Sequence, residues 1–401
     1  PMTVKPRFVV AMSGGVDSSA AAWILAKEGL DLVGLFMRNG VHVSEHESSK
    51  KSCCSVSDAR DARMVAAGMG IPFQSVDLKD EFGGIIRYFL AEYSAGRTPN
   101  PCAVCNRDLK FGRLLRFARE LGAEGVATGH YARLEVVDGR VHVRRGVDGT
   151  KDQSYQLFCV AEDDLARTRL PLGGLQKSAV RALAREAGLR TSEKKDSQEI
   201  CFVPSNDYRN LLKERGAELH PGELVDTSGA VLGTHEGTEL FTIGQRRGHG
   251  IAAAEPLYVV AIEPEAGRVV LGSRADCGVR SARLEEVNWI GVDAPTSGEL
   301  RVLVQHRYRS QPVPAVVSAR GTQAEIVFDE EGPLQGMKLV GFSLWRGADG
   351  ETYVTFPSRA IGAGTERRFF DYVRPVDGQA AESRRVKAWI IEAWQARSVA
   401  A

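Results

Sequence analysis

The chain has 401 residues, 43% of them hydrophobic, a length that predicts two to four domains with ordinary apolar cores. A formal net charge of +1 gives no bulk attraction to nucleic acid, so any RNA site must come from local basic patches. Seven cysteines, no signal peptide before Phe8 and no apolar run near the roughly 20 residues of a bilayer span argue against a secreted disulfide framework or a membrane protein. They predict a reducing, cytoplasmic setting.

From Phe8 to His130, strand-like and helix-like pieces alternate. Phe8-Val9-Val10-Ala11-Met12 reads as a buried strand, Ser13-Gly14-Gly15-Val16-Asp17-Ser18 as a turn, and Ser19 to Lys27 as a helix that Gly29 stops. Leu32 to Met37, Phe73 to Leu78 and Gly125 to Thr128 read as further strands. Ser57 to Met69, Asp80 to Tyr93 and Arg107 to Leu121 read as helices. This alternation predicts an α/β fold, a doubly wound parallel sheet whose ligand sits at the carboxyl ends of the strands. Val141 to Val160 reads as a strand pair around a loop, Asp148 to Ser154, and Gln176 to Gly188 as an amphipathic helix. Composition shifts near Pro204; short β runs follow from Pro221 to Arg274 with a basic turn at Gly244 to Gly248, and again from Ala282 to Phe328 as in a small β-barrel. In the tail, Gly347-Ala348-Asp349-Gly350 between two β runs signals a hairpin, and Val386, Trp389, Ile390, Ala393 and Trp394 fall at helical spacing. The resulting expectation is four parts: 6–204, 205–278, 279–330 and an α+β tail over 337–401.

Strand, glycine-bearing turn and helix together bind phosphate. Glycines let backbone N–H groups approach an anion, and the helix N-terminus adds partial positive charge. Ser13 and Ser18 can donate hydroxyl hydrogen bonds, and Asp17 can hold magnesium against the same phosphates. The lysine of the GxxxxGK[ST] loop is absent. The string resembles instead the PP-loop of ATP pyrophosphatases.

Cys102-Ala103-Val104-Cys105 follows Thr98-Pro99-Asn100-Pro101. With Asn106 read as opening the next helix, Cys105 lies at a helix N-terminus beside Arg107 and near Lys110, which favours its thiolate. A half zinc site and a packed thiol are the competing readings; no second Cys-x-x-Cys is present. Cys201 sits in an Ile200-Cys201-Phe202-Val203 run read as a strand. Cys53 and Cys54 receive no role, while Cys159, in a β run, and Cys277 read as packing residues.

Further strings occur in one order: Ala127-Thr128-Gly129-His130-Tyr131, Lys151-Asp152-Gln153-Ser154-Tyr155, Lys195-Asp196-Ser197 through Ile200-Cys201-Phe202, Thr242 to Gly248, and Arg307-Tyr308-Arg309. With SGGVDS and the Cys105 motif, the chain from about Phe8 to Phe328 resembles the tRNA-specific 2-thiouridylases. The resemblance implies a PP-loop domain, a small central domain and a β-barrel, and ATP-dependent 2-thiolation of the wobble uridine in tRNAs for Lys, Glu and Gln. It places ATP on Ala11, Met12, Ser13, Gly14, Gly15, Val16, Asp17 and Ser18, with Met37 and Gly129 beside the nucleotide. It makes Cys201 the persulfide carrier and Cys105 the nucleophile that helps release the sulfur, leaving a Cys105–Cys201 disulfide. It places tRNA on His130, Lys151, Asp152, Gln153, Arg307 and Tyr308, and the target base beside Asn100, Pro101 and Cys102. A sulfur donor, a cysteine desulfurase or a sulfur-relay protein, is implied as partner.

The chain departs from the family pattern twice. Many relatives carry Asp where Cys102 stands, so an iron–sulfur cluster on Cys102, Cys105 and Cys201 is an alternative to persulfide chemistry. The family's closing barrel segment is missing after Phe328, and the tail, with Phe356-Pro357-Ser358-Arg359, loosely resembles the SpoVG family of nucleic-acid-binding proteins. Rival readings are another PP-loop adenylating enzyme, for which the two thiols have no purpose, and an RNA-binding protein with a degenerate nucleotide site, against which Ser13, Asp17 and Ser18 argue.

Overall fold

Four of the five residues in the first strand are buried, and Val9 and Val10 are fully so. Burial on both faces suits a central parallel strand. The structure, a computed structural model, describes residues 5–40, 56–196, 200–203, 207–279, 281–295, 299–305, 312–320, 323–328, 343–346, 352–355, 358–361 and 368–371. It divides into two units, Pro1–Val327 and Phe328–Ala401.

The first unit begins with β1 (Arg7–Ala11), α1 (Val16–Lys27), β2 (Asp31–Arg38), α2 (Val56–Gly68), β3 (Phe73–Asp77) and α3 (Lys79–Ser94). It continues through α4 (Pro101–Cys105), a π-helical stretch Asn106–Arg113, α5 (Leu114–Glu120), β4 (Gly125–Ala127), β5 (Ala132–Val137), β6 (Arg140–Arg145), α6 (Glu162–Ala166), β7 (Thr168–Arg169) and α7 (Lys177–Glu186). The main sheet has the order β3-β2-β1-β4-β7, and every neighbouring pair is parallel. Ala11 pairs with Leu35, Met37 with Val76 and Ala127 with Arg169. The chain winds one way from β1 to β3 and then returns to the other side of β1, so a crevice opens at the carboxyl ends of β1 and β4. This is the doubly wound α/β sheet expected from the alternation of elements. Alanines 20, 21 and 22 are all fully buried, and these small side chains let α1 pack closely against both α2 and α7.

Local structure differs from expectation in four places. β7 is an unforeseen fifth strand, only two residues long and too short for periodicity to show. The strand pair assigned to Val141–Val160 is in fact β5 and β6, joined by Asp138 (φ 50°) and Gly139 (φ 79°), a two-residue turn whose paired positive φ angles match the right-handed strand twist. Cys159 consequently lies in a turn rather than a strand. The helix after the two prolines starts at Pro101, not Asn106. Asn100 is its cap, accepting the Ala103 N–H at 3.1 Å, and Pro101 fills the first helical position. Ile200–Val203 forms a turn closed by Val203 N–H to Ile200 O at 3.0 Å.

After α8 (Tyr208–Glu214), β8 (Gly222–Asp226), β9 (Val231–His235), β10 (Tyr258–Glu263) and β11 (Arg268–Gly272) form a sheet of order β10-β11-β8-β9. Its buried Leu224, Val259, Val269 and Leu271 share one apolar cluster with Phe82, Phe89 and Tyr93 of α3, so this region is welded to the first domain by a continuous core. β12 (Ser281–Leu284), β13 (Glu299–Val304), β14 (Val313–Arg320) and β15 (Gln323–Phe328) form a third sheet, order β12-β15-β14-β13, with antiparallel β12–β15 and β13–β14 pairs.

In the second unit, β16 (Ser343–Arg346) pairs antiparallel with β17 (Thr352–Thr355), and β18 (Ser358–Ile361) with β19 (Arg368–Asp371). The turn residues 347–350, the 386–394 stripe, Cys53, Cys54, Arg307 and Tyr308 lie outside the described residues. No helix among the described residues is long and apolar enough to cross a membrane.

Candidate active site

The phosphate-loop candidates gather at the crevice between β1 and β4. Met12 continues β1 through its N–H to Leu35 O at 2.8 Å. Ser18 Oγ then accepts the Ser13 N–H at 3.1 Å and lies 3.2 Å from Ser13 Oγ, which ties the two ends of the turn together. Gly14 has φ +73°, and a Cβ there would stand 2.2 Å from Asp58 O, so both backbone angle and the approach of α2 require glycine. A Cβ on Gly129 would meet Asp17 C at 2.8 Å and Ser18 N at 2.9 Å. The loop after β4 therefore lies directly on the start of α1. Met37, at the carboxyl end of β2, packs against the core beneath the same sheet edge. The structure thus brings residues 11–18 together with Gly129, and puts Met37 on the same edge.

Charge ties this loop to three distant segments. Asp17 Oδ1 accepts the Tyr131 hydroxyl at 2.7 Å, and both Asp17 oxygens accept Lys177 Nζ at 2.7 Å. Lys177 Nζ also lies 2.9 Å from Asp196 Oδ1, and Asp196 further takes Lys151 Nζ at 2.7 Å and Arg181 Nη2 at 2.6 Å. Burial raises the Asp196 pKa, but the hydrogen bonds and charges of Lys151 and Lys177 overcome it and leave the carboxyl at about 2. Burial also raises the Tyr131 hydroxyl pKa, and the Asp17 charge adds to the shift, so Tyr131 stays a donor. Lys194 Nζ donates to Gly14 O at 2.7 Å and to Asp58 and Asp61 at 2.6 and 2.8 Å. No site role attaches to Lys177 or Lys194 in the sequence, and Tyr131 enters only within the Ala127-Thr128-Gly129-His130-Tyr131 string. Lys177 and Asp17 stand 160 positions apart, and no local pattern announces their pairing.

Asp17 offers magnesium a hard oxygen donor at the mouth of the phosphate loop. Both Asp17 oxygens are bonded to the Lys177 ammonium. Among the described residues no three His, Cys, Asp or Glu side chains group as a metal site.

The thiols occupy a different environment. Cys102 and Cys105 are both on α4 and half-buried. Because the helix begins at Pro101 and runs unbroken into the π-helical stretch, Cys105 lies a turn inside it, and the N-terminal dipole argument made for it transfers to Cys102. Cys105 and Cys201 pack against the same apolar cluster. Phe202 holds the second of them in place: it is 2% exposed and meets Phe82 and Phe89 edge-on at 5.6 and 5.3 Å. Cys159 Sγ donates to Ala103 O at 3.1 Å, and burial raises its pKa, as befits a packing thiol.

The expected tRNA contacts divide by accessibility. Lys151 is partly exposed while bonded to Asp196. Asp152 Oδ1 accepts the Gly146 and Ser154 N–H groups at 2.9 and 3.1 Å, and Gln153 Oε1 accepts the Tyr131 N–H at 3.0 Å; both shape the 148–154 loop. His130 is 6% exposed, pairs with Thr128 Oγ1 at 2.7 Å and packs on Phe111. Burial, with Lys110 nearby, lowers its pKa and keeps the ring neutral. Its imidazole supports the loop from below. Asn100 and Pro101 form the first turn of α4, beside Cys102.

Three family models match the chain: a tRNA methyl transferase HUP domain over 6–205, a tRNA methyl transferase PRC-barrel domain over 209–273 and an aminomethyltransferase beta-barrel domain over 279–333. The tRNA-specific 2-thiouridylase MnmA of Leptospira biflexa is 44% identical over 82% of this chain and 87% of its own length. That of Geobacter metallireducens is 48% identical over 81% and 90%. That of Methylorubrum populi is 43% identical over 90% and 94%, a match too long to stop where the last family model does. With identity at this level across nearly the whole of each relative, and family models over most of its length, the chain belongs to the tRNA-specific 2-thiouridylase family.

Proposed function

We propose that this enzyme, a tRNA sulfurtransferase, activates the C2 oxygen of a wobble uridine with ATP and replaces it with sulfur carried as a persulfide on Cys201. The observation that carries this reading is the packing of Cys105 and Cys201 against one apolar cluster, reached by the segment whose Lys194 and Asp196 are tied to the phosphate loop.

The chemistry follows from the positions of the groups. A uracil carbonyl oxygen is a poor leaving group until it carries AMP, so residues 11–18 hold the phosphates while the C2 oxygen attacks and pyrophosphate departs. Asp17 would hold a magnesium ion carried by ATP, which would offset phosphate charge. The terminal sulfur of the Cys201 persulfide then attacks C2, and AMP leaves with the oxygen. The Cys105 thiolate attacks Cys201 Sγ, the sulfur–sulfur bond breaks, and its electron pair becomes the thiocarbonyl. The two protein thiols supply the two electrons that reduce the sulfane sulfur, so a Cys105–Cys201 disulfide results, and an external thiol must reduce it. The wobble base must leave its stack to enter the site; Asn100, Pro101 and Cys102 would form the pocket edge, and the side chains of Lys151, Arg246, Arg247, Arg307 and Tyr308 supply the chemistry for RNA backbone contact.

A methyl-transfer reading, which two of the domain descriptions suggest, gives no purpose to the phosphate loop or to paired thiols. An iron–sulfur mechanism on Cys102, Cys105 and Cys201 is separated by metal analysis. Iron-free protein that thiolates at full rate excludes the cluster. Mass spectrometry of wobble nucleosides after reaction of unmodified tRNA with ATP and a persulfide source tests the whole reading. A gain of sulfur for oxygen at uridine supports it, and a gained methyl group or unchanged uridine overturns it.

A further inference from the structure

Cys159 does more than fill space beside the helix that carries Cys102 and Cys105. Its sulfur donates to Ala103 O at 3.1 Å. In a continuous α-helix that carbonyl takes the N–H of Arg107, four residues on. Here the Arg107 backbone N–H bonds the Cys159 sulfur: burial raises the thiol pKa, with the charge and the N–H of Arg107 among the groups that lower it in part. One sulfur thus contacts both groups that an α-helix would pair with each other. The helix changes character at this point. The Asn106 N–H is shared between Cys102 O and Ala103 O, the π-helical stretch begins at Asn106, and at its far end the Leu114 N–H reaches Leu109 O, five residues back. A side chain inserted into the helical ladder is a known cause of such irregularity. Gly112 fits the wider turn, since a Cβ there would stand 2.6 Å from Arg107 O.

The segment bearing this sulfur is fixed by contacts of its own. Asn288 Nδ2 donates to Phe158 O and Val160 O at 2.9 and 2.8 Å, the carbonyls on either side of Cys159. Asn106 Nδ2 donates to Gln156 O at 3.0 Å, and Leu157 and Val160 are buried. The backbone therefore aims the thiol at the helix, and Cys105 lies in the turn between the two residues that the thiol touches. Resting on Cys105 as the nucleophile, we propose that Cys159 is a positioning residue: its thiol wedges the helix between Ala103 and Arg107 and so sets the direction of the Cys105 side chain. Without the wedge, the ladder can close as a plain α-helix. Removing one residue of offset rotates the preceding part of a helix by about 100° against the part that follows. That rotation would turn Cys105 away from the apolar cluster it shares with Cys201. A hydroxyl can both donate to Ala103 and accept from Arg107; a methyl group can do neither.

The test compares the full chain with its Cys159→Thr and Cys159→Val variants, which share a shape and differ in the hydroxyl. Three properties are measured for each: single-turnover thiolation of unmodified tRNA by persulfide-loaded protein, ATP binding by calorimetry, and peptide-resolved hydrogen exchange over residues 103–113. Cys159→Val is expected to thiolate about 10- to 100-fold more slowly, the cost of a catalytic group misplaced by about an ångström, with faster exchange in the helix and ATP affinity unchanged. Cys159→Thr is expected to keep most of the parent's rate and its exchange pattern. Cys159→Ala serves where Cys159→Val folds poorly, since it removes the same two bonds without added bulk. Cys159→Val or Cys159→Ala protein that matches the parent in rate and exchange would overturn the wedge. Equal loss of rate in Cys159→Thr and Cys159→Val, or ATP binding lost along with rate, would also overturn it and leave a packing role alone. Cys105→Ser tests the underlying reading separately: thiolation at the parent's rate would remove Cys105 as nucleophile, while the exchange data would still report on the wedge.

Discussion

The two halves of the proposed active site are held by different forces. At the phosphate loop, Lys177 joins Asp17 to Asp196, and Lys194 pairs with Asp58 and Asp61, across segments far apart in sequence. At the thiols, Cys105 and Cys201 rest on aromatic and aliphatic side chains, with Phe202 locked between Phe82 and Phe89. An arriving polyanion can redistribute charge–charge contacts, but it has no purchase on buried apolar surface. The comparison teaches that nucleotide binding can reorganise one half of the site while leaving the other half's scaffold intact. Adenylation and sulfur delivery should therefore be separable by mutation.

The largest separation is expected from Cys201→Ser. Thiolation falls to background while tRNA-dependent pyrophosphate release continues; loss of both would mean that the thiol side also shapes the nucleotide side. Gly14→Ala attacks the opposite half. The new Cβ meets Asp58 O and sits at a positive φ, so unfolding free energy is expected to drop by about 4 kcal/mol, with ATP binding lost, in denaturant titration and calorimetry. Phe202→Ala should cost about 3 kcal/mol from lost burial and the cavity left behind, lowering thiolation and sparing ATP affinity. An equal loss of both would contradict the division.

The smallest effect lies away from both halves. His220 donates its backbone N–H to the fully buried Glu239 at 3.1 Å and its ring Nδ1 stands 2.6 Å from the same carboxylate. The hydrogen bond and charge of Glu239 raise the His220 pKa above its ordinary value. Protonated His220 therefore stabilises the fold fully below the unfolded pKa of about 6.5, and the contribution fades as pH rises through the higher folded value. Denaturation midpoints should decline slightly over that window in the parent, and His220→Gln should flatten the decline.

Residues with local signatures were legible in the sequence. Ser13 to Ser18 combine a strand, glycines and a helix start within a dozen positions, and the crevice location followed from strand alternation. The cap at Asn100 was also legible from Pro101 at the first helical position, but Asn106 offered the same residue type at a later start. Asp138-Gly139 is a two-residue hairpin signal, but the apolar run Leu157-Phe158-Cys159-Val160 reads locally as the partner strand for Val141. The turn at Cys201 was not legible, since its neighbouring Phe202 is placed by rings over a hundred residues earlier and β-branched and aromatic neighbours favour a strand locally. Lys177 and Lys194 were hidden for the same reason: their carboxylate partners come from distant segments.

The account's central claim is that two distant cysteines act together on one activated carbonyl. Peptide mapping by mass spectrometry after a single turnover, with MgATP, unmodified tRNA and protein preloaded with persulfide but no reductant, tests it most directly. The account predicts a Cys105–Cys201 disulfide formed in step with thiolated uridine. Stoichiometric thiolation that leaves both cysteines open to alkylation would contradict it.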